Sequence, residues 1–324
     1  MKVFLSYRDY LRNFENFLRS FDPSKPNELT IETHDKWVNV HPTVLTMIAA
    51  LGSTISSDLI TFDDITATSG HYLARMGLFE ILGKKSPYSI EKHESAGRFI
   101  PITQIKNSDE QTRFITEMIP LLHLNPQQAD AIKYTVGELV RNVLEHAKAK
   151  NGAFVAAQYY HKAHMVRLGI CDTGVGIRHT INQSWRANTD IEAIKLALTP
   201  GITGTTRREG GTEENAGAGL FFIKSMAMVA RDYFVIYSGT GLYKLTKRDK
   251  RTKGFPRLRA NPDGDKHSDT NDAPKFPGTL VGIDISLGHT NEFTQLLAVI
   301  RSAYTKAVKE RKKERYKKPI FIYE

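Results

Sequence analysis

Cysteine is all but missing from this chain. Cys171 stands alone, which excludes an internal disulfide framework and any cysteine-rich zinc site and predicts a reducing, cytoplasmic setting. No apolar run approaches the ~18 residues that a membrane-spanning helix needs, so no integral membrane protein is expected. The first residues turn charged at Lys2 and again at Arg8, too soon for a signal-peptide core. No internal repeat is visible. Strong charge is also missing from most of the chain, although the net value is +10. Residues 244–275 carry ten Lys/Arg against five Asp, and 306–318 carry eight against two Glu, so the remainder sums to about −1. Basicity belongs to one loop and one tail, which bounds any nucleic-acid contact to those two segments.

What is present is ordinary globular material, 40% hydrophobic and 25% charged over 324 residues, enough for about two domains. The chain is organised around residues 134–147. At about 100° per residue, Ile132, Val136, Leu139, Val140, Val143, Leu144 and Ala147 share one arc, and Glu138, Asn142 and Glu145 share the opposite one. The spacing predicts an amphipathic helix opened by Asn125 and Pro126, with a carboxylate and a carboxamide one turn apart. Such a pair can aim a proton acceptor and a metal-ligand oxygen at one point. Spacing alone equally fits a solvated helix face.

Downstream segments change that balance. Asp172, Gly174 and Gly176 end an apolar run; Asn215, Gly217, Gly219 and Leu220 open another helix; Gly278 and Thr279 lead a late strand. In this order and at these separations, the four pieces resemble the Asn box, the two glycine boxes and the Thr-containing strand of the Bergerat-fold (GHKL) ATPases, over about 120–290. The resemblance implies an α+β fold: a Bergerat-type α/β sandwich, its mixed, mostly antiparallel sheet covered by helices on one face.

It also implies chemistry. Asp172 would accept a hydrogen bond from the adenine amino group, with Thr279 beside it, and Gly174 and Gly176 would let backbone approach the base. Asn142 would hold Mg²⁺ through one oxygen, and Glu138 would act as general base. Residues 200–219 look like an ATP lid, in which Gly204, Thr205, Thr206, Arg207, Arg208 and the Gly210–Gly211 pair offer hydroxyl, guanidinium and N–H groups to a triphosphate. Gly217 and Gly219 stand at a helix amino terminus, with Asn215 where the family pattern often has a first glycine. Lys224 reaches either phosphate or solvent. His146 is expected to pack or cap, and Arg141 to pair with Glu145.

Before this region, a helix over 10–18 and a turn occupy 1–28. Residues 29–97 read as strand, helix, strand, helix, a small α/β unit that weakly resembles the STAS domains of anti-sigma antagonists. Thr43 there serves as a helix-start hydroxyl, or, on the resemblance, as a phosphorylatable residue. Residues 84–98 are a linker; the ATP-binding domain spans 98–290 with a disordered insert at 247–276; and 291–324 form a basic helix and tail. The expected function is an Mg-ATP-dependent serine/threonine kinase of the anti-sigma-factor type, phosphorylating a STAS-like or other regulatory partner. The alternative is an ATP-hydrolysing clamp that holds nucleic acid or another acidic partner through 244–275 and 306–318. The resemblance leaves room for a homodimer. A sensor histidine kinase fits less well, because no phospho-acceptor dimerisation helix precedes the ATPase-like region.

Overall fold

A computed structural model describes residues 1–63, 65–66, 70–88, 98–204, 218–246, 258–288 and 293–315. In chain order the elements are β1 Lys2–Leu5, α1 Phe14–Ser20, β2 Leu29–Thr33, α2 Pro42–Gly52, β3 Ile60–Phe62, α3 His71–Arg75, α4 Leu78–Ile81, β4 Phe99–Ile105, α5 Ser108–Arg113, α6 Pro126–Asn142, β5 Ala153–Tyr160, β6 Met165–Asp172, α7 Gly176–Ile181, α8 Asp190–Ala197, α9 Gly219–Ala230, β7 Phe234–Gly239, β8 Gly241–Leu245, β9 His267–Thr270, β10 Phe276–Ser286 and α10 Phe293–Arg315. The protein is a mixed α/β chain with two sheets. One has three parallel strands in the order β1-β2-β3; the other has seven antiparallel strands in the order β4-β5-β6-β10-β7-β8-β9. Among the described residues, no helix is long and apolar enough to cross a membrane.

Successive side chains of a strand point to opposite faces, and in the central strands both sets are apolar. Val155, Leu168, Ile170, Ile236, Val281 and Ile283 pack with Ile132, Val136, Leu139 and Val140 of α6 and Ile223 and Ala227 of α9. The alternate residues Phe154, Ala156, Cys171, Val235, Tyr237 and Leu280 join a second core with Val44, Leu45, Ile48 and Leu51 of α2. A sheet that is apolar on both faces must be covered on both. This corrects the expectation of helices on one face only: the amino-terminal layer supplies the other cover. All eleven residues of α2 are buried, and each large aliphatic among them contributes about 1.5–3 kcal/mol of burial.

Three further expectations change. Residues 1–28 contain a strand as well as a helix, since β1 pairs in parallel with β2. The second helix expected within 29–97 is α3 and α4 broken at Gly77, whose φ of +76° is left-handed. Residues 258–276 of the insert expected to be disordered are ordered, with Pro262–Gly264 forming a tight turn and β9 covering the edge of β8. An unpaired β8 would expose a row of backbone donors and acceptors, which β9 satisfies. Residues 247–257 lie outside the described set.

The amino terminus of α2 meets the sheet through polar groups. A Cβ at Gly169 or Gly282 would collide with Thr43, so both strands thin to glycine where the helix lands. His41 caps the helix, its Nδ1 accepting from Thr43 N at 3.1 Å, while Nε2 lies 3.2 Å from Asp284 Oδ1. That pattern requires neutral imidazole with the proton on Nε2. Thr43 Oγ1 lies 2.7 Å from His41 Nδ1 and donates to Leu168 O at 3.3 Å. Thr43 is fully buried. The hydroxyl is therefore a structural group, and its reading as a phosphorylation site within this chain is withdrawn.

Burial holds the His41 pKa below its ordinary 6.5, with Asp284 opposing the shift in part. A folded value below the unfolded one means that stability is fully present above about pH 6.5 and declines as pH falls below it. Denaturant titrations at pH 7.5, 6.5 and 5.5 should show this decline in the parent and a shallower one in His41→Asn, which keeps a capping oxygen without the titration. Parallel pH profiles for the two proteins would rule out His41 as the source.

Candidate functional site

Helix α6 is fixed at its start by a reciprocal cap: Gln128 N donates to Asn125 Oδ1 at 2.8 Å, and Asn125 N to Gln128 Oε1 at 3.2 Å. With Ile132, Val136, Leu139 and Val140 against the sheet, Tyr134, Glu138 and Asn142 come to line a cavity of about 410 Å³. The helix does not continue regularly to Ala147 as periodicity predicts. It widens into a π-turn over Val143–Ala147 and ends at Lys148, φ +50°. Such turns recur at functional sites. Here the turn brings the Ala147 carbonyl to within 2.8 Å of Val175 N, and it packs so closely on Gly174 that a Cβ at Gly174 would overlap it.

Asp172 closes β6, opposite Thr279 of β10. Its carboxylate is only 1% exposed. Gly174 N donates to Oδ1 at 2.7 Å, and the Thr279 backbone adds a second donor. Burial nevertheless outweighs these donors and pushes the carboxyl up to about 7. Gly278, at φ +93°, takes a backbone conformation that side chains resist, and a Cβ there would strike the Asp172 carbonyl.

The amino end of α9 closes the opposite side. A Cβ at Gly219 would lie 2.5 Å from Glu138 Oε2, so a larger residue there would push the carboxylate aside. Arg141 Nη2 donates to both Glu138 oxygens, at 2.9 and 2.7 Å. Burial raises the Glu138 pKa, and Arg141 opposes the rise. Arg141 was expected to pair with Glu145. That contact is looser, 3.9 Å, because Glu138 is the nearer carboxylate on the helix face.

Of the residues singled out from sequence, Glu138, Asn142, Asp172, Gly176, Gly204, Gly219, Leu220 and Thr279 all line this one cavity. Gly174 stands behind the wall against Ala147. Thr205, Thr206, Arg207 and Gly217 lie outside the described residues, as do Arg208, Gly210, Gly211 and Asn215. Lys224 is a correction: it is absent from the cavity and fully buried, its Nζ 2.6 Å from Asp265 Oδ2 and 5.5 Å from the Phe221 ring. The side chain points to the face of α9 covered by residues 258–265, which were expected to be disordered and therefore offered no partner in the sequence.

Removing one member of this buried pair leaves the other charge uncompensated. Lys224→Met should lower unfolding stability by about 3 kcal/mol, and adding Asp265→Leu should restore part of the loss; ligand affinity stays at the parental value. A variant as stable as the parent in urea would contradict the pairing.

Sequence reasoning missed Tyr134, Arg301 and Phe222, which also line the cavity. Tyr134 was findable, one turn before Glu138 on the same face. Arg301 was not, because α10 reaches the site through packing of Ile300 and Tyr304 on Phe221 and Phe222. The cavity is graded. Ile170, Ile177 and Val281 surround the Asp172 end, and Arg141 and Arg301 stand with Tyr134 and Glu138 at the other.

This arrangement can take a flat apolar ring with one amino donor at Asp172 and an anionic tail toward Glu138. The Asn142 carboxamide offers one hard oxygen, adequate for Mg²⁺, which keeps most of its waters and takes its other ligands from phosphate. The chain matches no family model and no curated protein.

Proposed function

We propose that the cavity binds Mg-ATP and that the protein is a nucleotide-dependent regulatory switch of the Bergerat-fold type, acting in the cytoplasm as a serine/threonine protein kinase of the anti-sigma-factor kind. One observation carries the reading: Glu138, Asn142, Asp172, Gly219 and Thr279, from segments far apart in the chain, line a single cavity. In this reading Asp172 accepts from the adenine amino group, and Thr279 and Gly176 bound the base. Asn142 Oδ1 would hold Mg²⁺, whose charge would offset that of the phosphates. Glu138 takes the proton from a hydroxyl as its oxygen attacks the γ-phosphorus and ADP departs. Thr43 of the amino-terminal layer is buried and is not the acceptor.

A second reading, an ATP-hydrolysing clamp on nucleic acid or another acidic partner, is favoured by α10. The same helix that places Arg301 on the cavity carries Lys306, Lys309, Lys312 and Lys313. Incubation with γ-labelled ATP and Mg²⁺, with and without a STAS-type partner, separates the two. Label on protein supports the kinase, and free phosphate together with salt-dependent DNA binding supports the clamp. Neither product, with no heat of ATP binding in calorimetry, would end both.

A further inference from the structure

The cavity has a direction. Asp172 and Ala147 mark one end and Tyr134 the other, with Asn142 about 12 Å from Tyr134 along the axis of α6. A ligand anchored by its base at Asp172 therefore extends along Asn142 and Glu138 toward Tyr134. Beyond Glu138 the wall belongs to α10, and the cation it presents is Arg301. We infer that Arg301 reads the terminal phosphate of the bound nucleotide, so that α10 is part of the site and the cavity distinguishes a nucleoside triphosphate from a diphosphate. The inference rests on the nucleotide reading above.

Arg301 is positioned from below and open above. Ile300, next to it, is fully buried, and the Tyr304 ring lies 6.3 Å from Phe221 and 6.1 Å from Phe222. The Phe222 ring in turn lies tilted 6.2 Å from that of Tyr134. These contacts fix the backbone of α10 against α6 and α9 while the guanidinium stays exposed. No carboxylate among the described residues pairs with it, whereas Arg141 at the same end is engaged by Glu138. Arg141 lies between Glu138 and Glu145, so Arg301 is the guanidinium left to meet the end of an anionic chain. A guanidinium meets phosphate oxygens through paired, charge-assisted hydrogen bonds. Tyr134 adds a hydroxyl that burial keeps protonated and able to donate.

A consequence follows for α10. A triphosphate reaching past Glu138 to Arg301 holds the helix onto α6 and α9 more firmly than a diphosphate does, and the four lysines of its second half are held with it. Nucleotide state and the presentation of the basic helix become linked through one side chain.

The test is calorimetric titration of the full chain with Mg-ADP and with a β,γ-non-hydrolysable Mg-ATP analogue. The proteins are the parent, Arg301→Ala, Arg301→Lys and, as a control on the same helix, the exposed Val299→Ala. Arg301→Ala is expected to weaken the triphosphate analogue about tenfold and to leave ADP within twofold. Arg301→Lys falls between, and Val299→Ala matches the parent. If the parent binds both nucleotides and Arg301→Ala weakens neither, or weakens both alike, Arg301 is only part of the wall and the inference fails while the nucleotide reading stands. If the parent binds neither, the nucleotide reading fails and takes this inference with it.

Discussion

Asp172→Asn should abolish adenine-nucleotide binding and at the same time make the ligand-free protein harder to unfold above pH 7. The carboxyl is buried and titrates near 7, against 3.8 for an ordinary aspartate. The native state therefore holds this proton more tightly than the unfolded chain does. The stabilisation from that proton is complete below about pH 4 and is lost as pH rises through about 7. Above pH 7 the parent carries a buried charge that Asn does not. The full shift sets an upper bound of about 4 kcal/mol, and about 1–3 kcal/mol is expected, because the new amide presents a donor to the donating Thr279 backbone. Urea titrations at pH 5, 7 and 8.5 should show the two proteins diverging as pH rises.

Binding moves the other way. With its oxygen held by Gly174 N, the Asn side chain would turn an N–H toward the amino group of adenine, donor against donor. A loss of about 100-fold or more is expected, since a site built to pair with one polar group rejects its mismatch strongly. For the parent, ATP affinity should fall as pH drops below about 7, because the carboxylate accepts from the base more strongly than the protonated carboxyl does. An Asn variant that binds ATP within threefold of the parent, or that is less stable at every pH, would sink the assignment of Asp172 as the base-reading group. A residue that lowers stability where it serves binding is the usual trade-off at functional sites.

Glu138→Gln should bind Mg-ATP within a few-fold of the parent and turn it over 10²–10⁴ times more slowly, the range expected when a general base is removed. Glutamine fits the space between Arg141 and Gly219 but cannot take a proton. Burial raises the Glu138 pKa above its ordinary value, so the parental rate should rise with pH through that shifted titration. The variant should lack this limb. Equal turnover by the two proteins in a phosphate-release or transfer assay would mean that the reacting hydroxyl does not meet Glu138, and that the carboxylate serves only to hold Arg141.

Several features were legible from residues alone because they depend on near neighbours. The start of α6 follows from Asn125 and Pro126, and the common side of Glu138 and Asn142 follows from a four-residue spacing. The order of the glycine segments with Asp172 and Thr279 was also legible, and Asp172, Gly176, Gly219 and Thr279 meet at one cavity.

Other features had no local signature. That β10 inserts between β6 and β7, that α2 covers the second face of the sheet and buries Thr43, and that Lys224 turns from the cavity to Asp265 all depend on partners far off in the chain. So does the arrival of Arg301 beside Tyr134. The sequence by itself determined local features such as the capped start of α6 and the types of chemical group available. Only the tertiary structure decided which groups face the cavity and which are sealed in the core. Periodicity records what each residue does within a turn or a pleat, whereas burial and charge pairing are settled by contacts that no short window of sequence contains.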